Sequence, residues 1–195
     1  VVAYHEIGKA LVGAFRPTYE KIDKISILPS SSSLGGNIRF VPNQDFLDDG
    51  LYTKSYFHYR IIRALAGRAA EILVFGINEI TQISQDDLSE ATYLAKDMIT
   101  KYGFSDLGLI SSENPNSSVF LGRSLVGNKS SIAEVTSMNI DRLVISLLKK
   151  SMIEAINILT PHINKMDLLA DILVEEETME ASKLLEIADI SIRTD

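Results

Sequence analysis

Apolar residues recur at three- and four-residue spacing over three long stretches of this 195-residue chain, and that period constrains the fold more than any other feature. Val2, Ala3, Ile7, Ala10, Leu11 and Ala14 share one face of a helix that Pro17 brings to an end. The period returns from Leu51 to Phe75, through Ile61, Ile62, Leu65, Ala69, Ile72 and Leu73, with Gly76 placed to stop it. Ser84 then opens a further helix as its N-cap. Asp86, Asp87 and Glu90 favour the positive end of that helix, which runs to about Tyr102 and stops at Gly103. In the last third Ile132, Val135, Leu143, Leu147, Met152, Ile156 and Leu159 line one stripe of a long helix ending near Pro161. Two shorter helices are expected at about 165–173 and 181–188.

Only two segments break this pattern towards strand. Ile22-Asp23-Lys24-Ile25-Ser26-Ile27-Leu28 is a β-branched run closed by Pro29, and Asn37 to Val41 precedes Pro42. The expected fold class is therefore mainly α with a small β element at the edge of a helical body, ending in a C-terminal helical bundle. Ser, Asn, Gly and Pro crowd 111–128, which reads as a flexible loop and as the one plausible boundary. It would divide a subdomain at 1–110 from a C-terminal helical subdomain at 131–195, with 111–130 between them. The acids Asp167, Asp171, Glu175, Glu176, Glu177 and Glu180 read as a solvated face.

Composition excludes several functions. Hydrophobic residues are 46% and charged residues 23%, the balance of a globular protein rather than a disordered one. With 19 basic and 26 acidic residues the net charge is −7, which supplies no basic face for a nucleic acid. The absence of cysteine removes disulfides, thiolate zinc knuckles and a cysteine nucleophile together. No apolar run approaches the ~18 residues of a membrane span. The start, Val1-Val2-Ala3, carries neither a methionine nor the layout of a signal peptide, so the chain is expected to be a soluble piece of something longer.

Chemistry is concentrated at His5-Glu6-Ile7-Gly8-Lys9 on the first helix. Zinc peptidases carry His-Glu-x-x-His there: two histidines one turn apart bind the metal from one face, and the glutamate is general base to its water. Here the fifth position is Lys9. Taken alone, a His-Glu dipeptide fits equally a partly buried histidine on an amphipathic helix.

A wider set of motifs resembles the proteolytic domain of the FtsH-type, membrane-anchored, ATP-dependent zinc metalloproteases. Val2-Ala3-Tyr4-His5-Glu6-Ile7-Gly8-Lys9-Ala10-Leu11-Val12 is similar to that family's zinc-site helix. Ile25-Ser26-Ile27-Leu28-Pro29 with Leu34-Gly35 resembles the strand and loop after it. Ala66-Gly67-Arg68-Ala69-Ala70-Glu71 with Val74-Phe75-Gly76 resembles its Gly-Arg-Ala-Ala-Glu helix. Ser84-Gln85-Asp86-Asp87-Leu88-Ser89-Glu90-Ala91-Thr92 resembles the helix start that gives the third metal ligand. Tyr102 to Gly108 and Phe120 to Arg123 follow in the family's order, and Ile140-Asp141 and Glu177-Thr178 sit where its C-terminal helices have similar pairs.

The resemblance implies roles residue by residue. His5 matches the first zinc ligand, Glu6 the catalytic base and Asp87 the third ligand, where a helix-start carboxylate satisfied by backbone N–H groups is the plain alternative. Glu71 matches a motif position suited to orienting a histidine, or else an acid that caps or pairs with Arg68. His58 and His162 match no ligand position and are expected to be surface or packing histidines. Lys9 departs from the pattern at a ligand. An ammonium has no lone pair for zinc near neutral pH, so metal affinity and with it peptidase activity should be impaired or lost.

Three readings follow. The first is a pseudo-peptidase with a structural or regulatory role in an ATP-dependent membrane protease or unfoldase complex. The second is an active zinc endopeptidase of unfolded or membrane proteins that tolerates Lys9. The third is a free-standing helical interaction module. The resemblance implies a homo-oligomer, a hexamer in the family, or a hetero-oligomer with active relatives, and unfolded proteins as substrates. It also implies a membrane anchor, with this domain on the cytoplasmic or equivalent organellar matrix or stromal side. No glycine-rich phosphate loop followed by Lys-Ser/Thr is present, so ATP enters only through a module outside these residues. Lys9 itself is expected to point into the former zinc pocket and pair with Asp87 or Glu6, the alternative being a side chain extended into water.

Overall fold

The computed structural model describes residues 1–15, 20–29, 35–42, 50–106 and 131–190, with the backbone alone described at 131–136. The expected loop and boundary at 111–130 lie outside these residues. The described chain is mainly helical with one small sheet.

Helix α1 (Val2–Phe15) buries Ile7 and Leu11 completely, as its apolar spacing requires. It lies against α2 (Lys54–Phe75) at very close range, because Gly8 faces Ala66 and Ala70. A Cβ at Gly8 would stand 2.6 Å from the Ala70 Cβ and 2.8 Å from the Ala66 carbonyl, so only glycine allows the two backbones to approach this closely. Helix α2 begins at Thr53, whose hydroxyl accepts the Tyr56 N–H at 3.2 Å. It ends at Gly76, which adopts φ 90° and donates its N–H to the Ile72 carbonyl. Two 3-10 turns, Ile77–Glu79 and Gln82–Ser84, lead into α3 (Gln85–Thr100). That helix stops slightly short of the expected Tyr102, and Gly103 takes φ 63° just beyond it.

Helix α4 (Ser131–Leu159) is followed by a 3-10 turn around Pro161 and by α5 (Ile163–Glu176) and α6 (Ala181–Ile187). No separate C-terminal bundle forms among the described residues. Ala155, Leu159, Met166, Leu169, Leu173 and Leu184 belong to the same cluster as Ile7 and Leu11, because α4 and α5 pack on α1 while α6 packs on α5 and the small sheet. A second cluster joins α2, α3 and α4 through Ile61, Leu65, Ala91, Leu94, Met98 and Val144. Helix α2 is thus the shared wall of both cores.

The sheet runs β2-β1-β3, all antiparallel, with β1 at Glu20–Ser26 and β2 at Asn37–Pro42. Ile22 and Ile25 are three residues apart and would face opposite sides of a regular strand. The register shift between Ile22 and Lys24 inserts one extra residue and turns both isoleucines inward, opposite Phe40 and Ile38. The acids Asp171, Glu175, Glu176, Glu177 and Glu180 are exposed as expected, while strand β3 (Thr178–Glu180) among them buries Met179 opposite Ile25. Glu177 caps α5 and Thr178 opens β3, so this pair lies at the end of a helix rather than within one. Glu177 is left-handed at φ 60°, and its carbonyl accepts the Ile27 N–H.

The sheet is fastened to α2 by Glu20, which accepts the Tyr56 hydroxyl at 2.8 Å and pairs with Arg63. The Arg63 guanidinium also lies 3.9 Å over the Phe40 ring. Burial favours the neutral carboxyl of Glu20, but Arg63 and the Tyr56 hydrogen bond outweigh it and hold the group below its usual range. Tyr56 is pushed up to about 12, by burial first and then by its bond to Glu20. A depressed carboxylate contributes stability that is lost as pH falls through its folded pKa, and a raised phenol contributes stability lost as pH rises from about 10. Denaturant midpoints measured against pH should therefore fall at both ends. Tyr56→Phe should shrink the loss between pH 10 and 12, and superimposable profiles would contradict the argument.

Candidate functional site

Three elements converge on one imidazole. Helix α1 carries His5, Glu6 and Lys9 on neighbouring faces, α2 brings Glu71, and the first turn of α3 brings Asp87. His5 is 1% exposed, with Nδ1 2.9 Å from Glu71 Oε1 and Nε2 2.8 Å from Asp87 Oδ2. The ring packs directly on Gly67, where a Cβ would lie 2.4 Å from its Cε1 and Nε2. Gly36 has the same relation to Glu6, at 2.7 Å from its Cγ.

Glu71 organises the approach to α3. Its Oε2 accepts the Thr81 N–H at 2.7 Å and the Thr81 hydroxyl at 2.9 Å, while Oε1 accepts the Ser84 hydroxyl at 3.2 Å. Burial would raise this carboxyl, but the Thr81 backbone N–H, His5 and the Thr81 hydroxyl together hold it below the ordinary range. Arg68 donates instead to the Thr81 carbonyl at 3.2 Å. Ser84 occupies the N-cap position expected of it, yet its hydroxyl makes no cap bond and is turned to Glu71. The parts of Thr81, Ser84 and Gly67 in the site were not legible beforehand. Gly67 lay inside a quoted motif, but nothing in its spacing pointed to His5.

Lys9 bends inward. Its Nζ stands 3.1 Å from Asp87 Oδ1 and 3.5 Å from Glu6 Oε2, and the side chain is 16% exposed. Burial alone would lower the Lys9 pKa, but Glu6 and Asp87 outweigh it and hold the ammonium above its ordinary value. Asp87 is held low against its own burial, chiefly by the His5 hydrogen bond and the Lys9 charge. Glu6 moves the other way. At 2% exposed, with Oε2 lacking a hydrogen-bond partner among the described residues, it is raised by desolvation that Lys9 and His5 only partly offset. A cleft of about 270 Å³ opens beside Lys9 and Asp87, walled by Ile38 and Phe40 of β2 and by Arg63. His58 is outside the site, 3.8 Å from Glu154, and His162 stacks on Phe15.

The profile of peptidase family M41 matches residues 1–187. The chain belongs to peptidase family M41. Among its relatives, the ATP-dependent zinc metalloprotease FtsH 3 of Synechocystis sp. is 38% identical over 185 residues, which are 94% of this chain and 30% of that protein. The ATP-dependent zinc metalloprotease FtsH of Cyanidium caldarium is 37% identical over 97% of this chain and 30% of its own length. The chloroplastic ATP-dependent zinc metalloprotease FTSH 1 of Oryza sativa subsp. japonica is 35% identical over 96% of this chain and 27% of its own. The chain thus spans about 30% of the length of these curated relatives. Among the described residues no helix is long and apolar enough to cross a membrane.

Zinc-dependent relatives imply a metal, and the donor set of this M41 member does not fit one. Tetrahedral zinc takes at least three protein nitrogen, oxygen or sulfur ligands, which then sit about 3.3 Å apart around it. Here His5 and Asp87 are within direct hydrogen-bonding distance of each other, and the third place holds an ammonium with no lone pair. No group of three His, Cys, Asp or Glu side chains suited to a metal occurs among the described residues.

Proposed function

We propose that this chain is a pseudo-peptidase domain of the FtsH type, with impaired zinc binding and a structural or regulatory role in an ATP-dependent membrane protease or unfoldase complex. The observation that carries the reading is the Lys9 ammonium between Asp87 and Glu6. In this reading Glu6 is the remnant of the general base, His5 and Asp87 are the remaining ligands, and Glu71 orients His5. The domain contributes surface to a homo-oligomer, a hexamer by family likeness, or to a hetero-oligomer with active relatives. It receives unfolded protein from an ATPase module outside this chain, in an assembly anchored to a membrane.

An active zinc endopeptidase is the second reading, favoured by the fact that His5, Glu6 and Asp87 still converge. Metal analysis and a casein-cleavage assay on the purified protein separate the two. The expected result is little zinc after dialysis and no cleavage. Stoichiometric zinc together with proteolysis abolished by Glu6→Gln would establish the second reading instead.

A further inference from the structure

We propose that the Lys9 ammonium is a built-in cation that does structurally what a bound metal would do here, tying α1 to α3 so that the fold needs no ion. The inference rests on the reading that the site does not hold zinc, and it adds a stabilising role that loss of activity alone would not require.

Charge balance is the first argument. Glu6, Glu71 and Asp87 converge around one imidazole in a site largely closed to water. Glu71 has four donors of its own, but Glu6 and Asp87 do not. The other cations near the cleft are committed elsewhere, Arg63 to Glu20 and Arg60 to Glu90. Lys9 is therefore the side chain whose positive charge reaches both remaining carboxylates, and carboxylates buried without a cation are strongly unfavourable.

Connectivity is the second. Helix α2 lies between α1 and α3 and packs on each of them. Among the described residues, direct polar links run from α1 to α3 between His5 and Asp87 and between Lys9 and Asp87. Lys9 is one turn beyond His5, so both reach Asp87 from the same face of α1. Its flexible four-carbon stem carries the charge to the place where a third ligand and an ion would otherwise be needed. The ammonium supplies one of the two positive charges a zinc ion would bring and keeps a grip on Asp87, without the coordination that chemistry requires.

Thermal unfolding of the purified protein, in EDTA and in added zinc chloride, tests this. The wild-type Tm should be the same in both. Lys9→Met should lower it by roughly 5–15 °C, whereas Lys9→Arg, which keeps the charge, should retain most of it. In an Asp87→Asn background the Lys9→Met loss should shrink. Lys9→His should lose stability in EDTA and regain it with zinc, since position 9 then supplies a ligand. Should Lys9→Met prove insoluble, Lys9→Gln gives the same comparison. A Lys9→Met or Lys9→Gln protein within about 1 °C of wild type would overturn the inference, and so would a Lys9→His protein indifferent to zinc. A wild-type Tm that falls in EDTA, with stoichiometric zinc beforehand, would instead overturn the pseudo-peptidase reading itself.

Discussion

Glu71→Ala should cost the domain about 3–5 kcal/mol, the loss typical of removing one member of a buried charged network. The carboxylate is fully buried and meets four groups: His5 Nδ1, the Thr81 N–H, the Thr81 hydroxyl and the Ser84 hydroxyl. Alanine supplies no acceptor to any of them. Leaving a buried donor unsatisfied costs roughly 1–3 kcal/mol, and the four losses are not additive because they share one anchor. The damage should also spread. Thr81 and Ser84 fix the approach to α3, so their release frees the helix start that carries Asp87. Urea unfolding should show a lower midpoint with little change in slope. Glu71→Gln keeps the shape and one carbonyl acceptor and should lose less. Because the folded carboxyl is depressed, its contribution is complete above the ordinary carboxylate range and disappears as pH falls through the lowered value. An alanine variant within about 1 kcal/mol of wild type at neutral pH would show that Glu71 is not the hub described.

Gly67→Ala should destabilise by about 2–4 kcal/mol, against the direction that helix propensity predicts. Gly67 lies within α2, where alanine is intrinsically better by about 1 kcal/mol. The new methyl, however, would stand 2.4 Å from two atoms of the His5 ring. That ring is held at both nitrogens by carboxylates on other helices and is 1% exposed, so it can yield only by giving up those bonds. Overpacking and the lost bonds together exceed the propensity gain. The sign gives the test. In a His5→Ala background the obstruction is gone, and the same Gly67→Ala change should become neutral or stabilising by up to about 1 kcal/mol. A loss of equal size in both backgrounds would place the strain somewhere other than the imidazole.

Sequence alone was sufficient wherever the determining neighbours are close along the chain. The three- and four-residue apolar spacing located α1, α2 and α4, Ser84 and the acids after it located α3, and Gly76 and Pro161 marked helix limits, because helix formation depends on contacts within a turn or two. The motifs at His5-Glu6, Gly67 to Glu71 and Asp86-Asp87 identified the residues that meet, and the charge of Lys9 already argued against a metal ligand. Tertiary structure decided the rest. Met179 sits in a three-residue strand, too short to show alternation, and is a strand only because Ile25 lies opposite. The bulge at Asp23, which turns Ile22 inward, is a property of the pairing with β2. Ser84 was visible as a cap residue, yet a buried carboxylate offers its hydroxyl a stronger partner than the local backbone does. The contacts that make the site join residues 66, 78 and 82 positions apart, from His5 to Glu71, Lys9 to Asp87 and His5 to Asp87. Local spacing carries no information about such distances. They follow from Gly8 and Gly67, which let α1 lie close enough to α2 for the imidazole to be gripped from both sides.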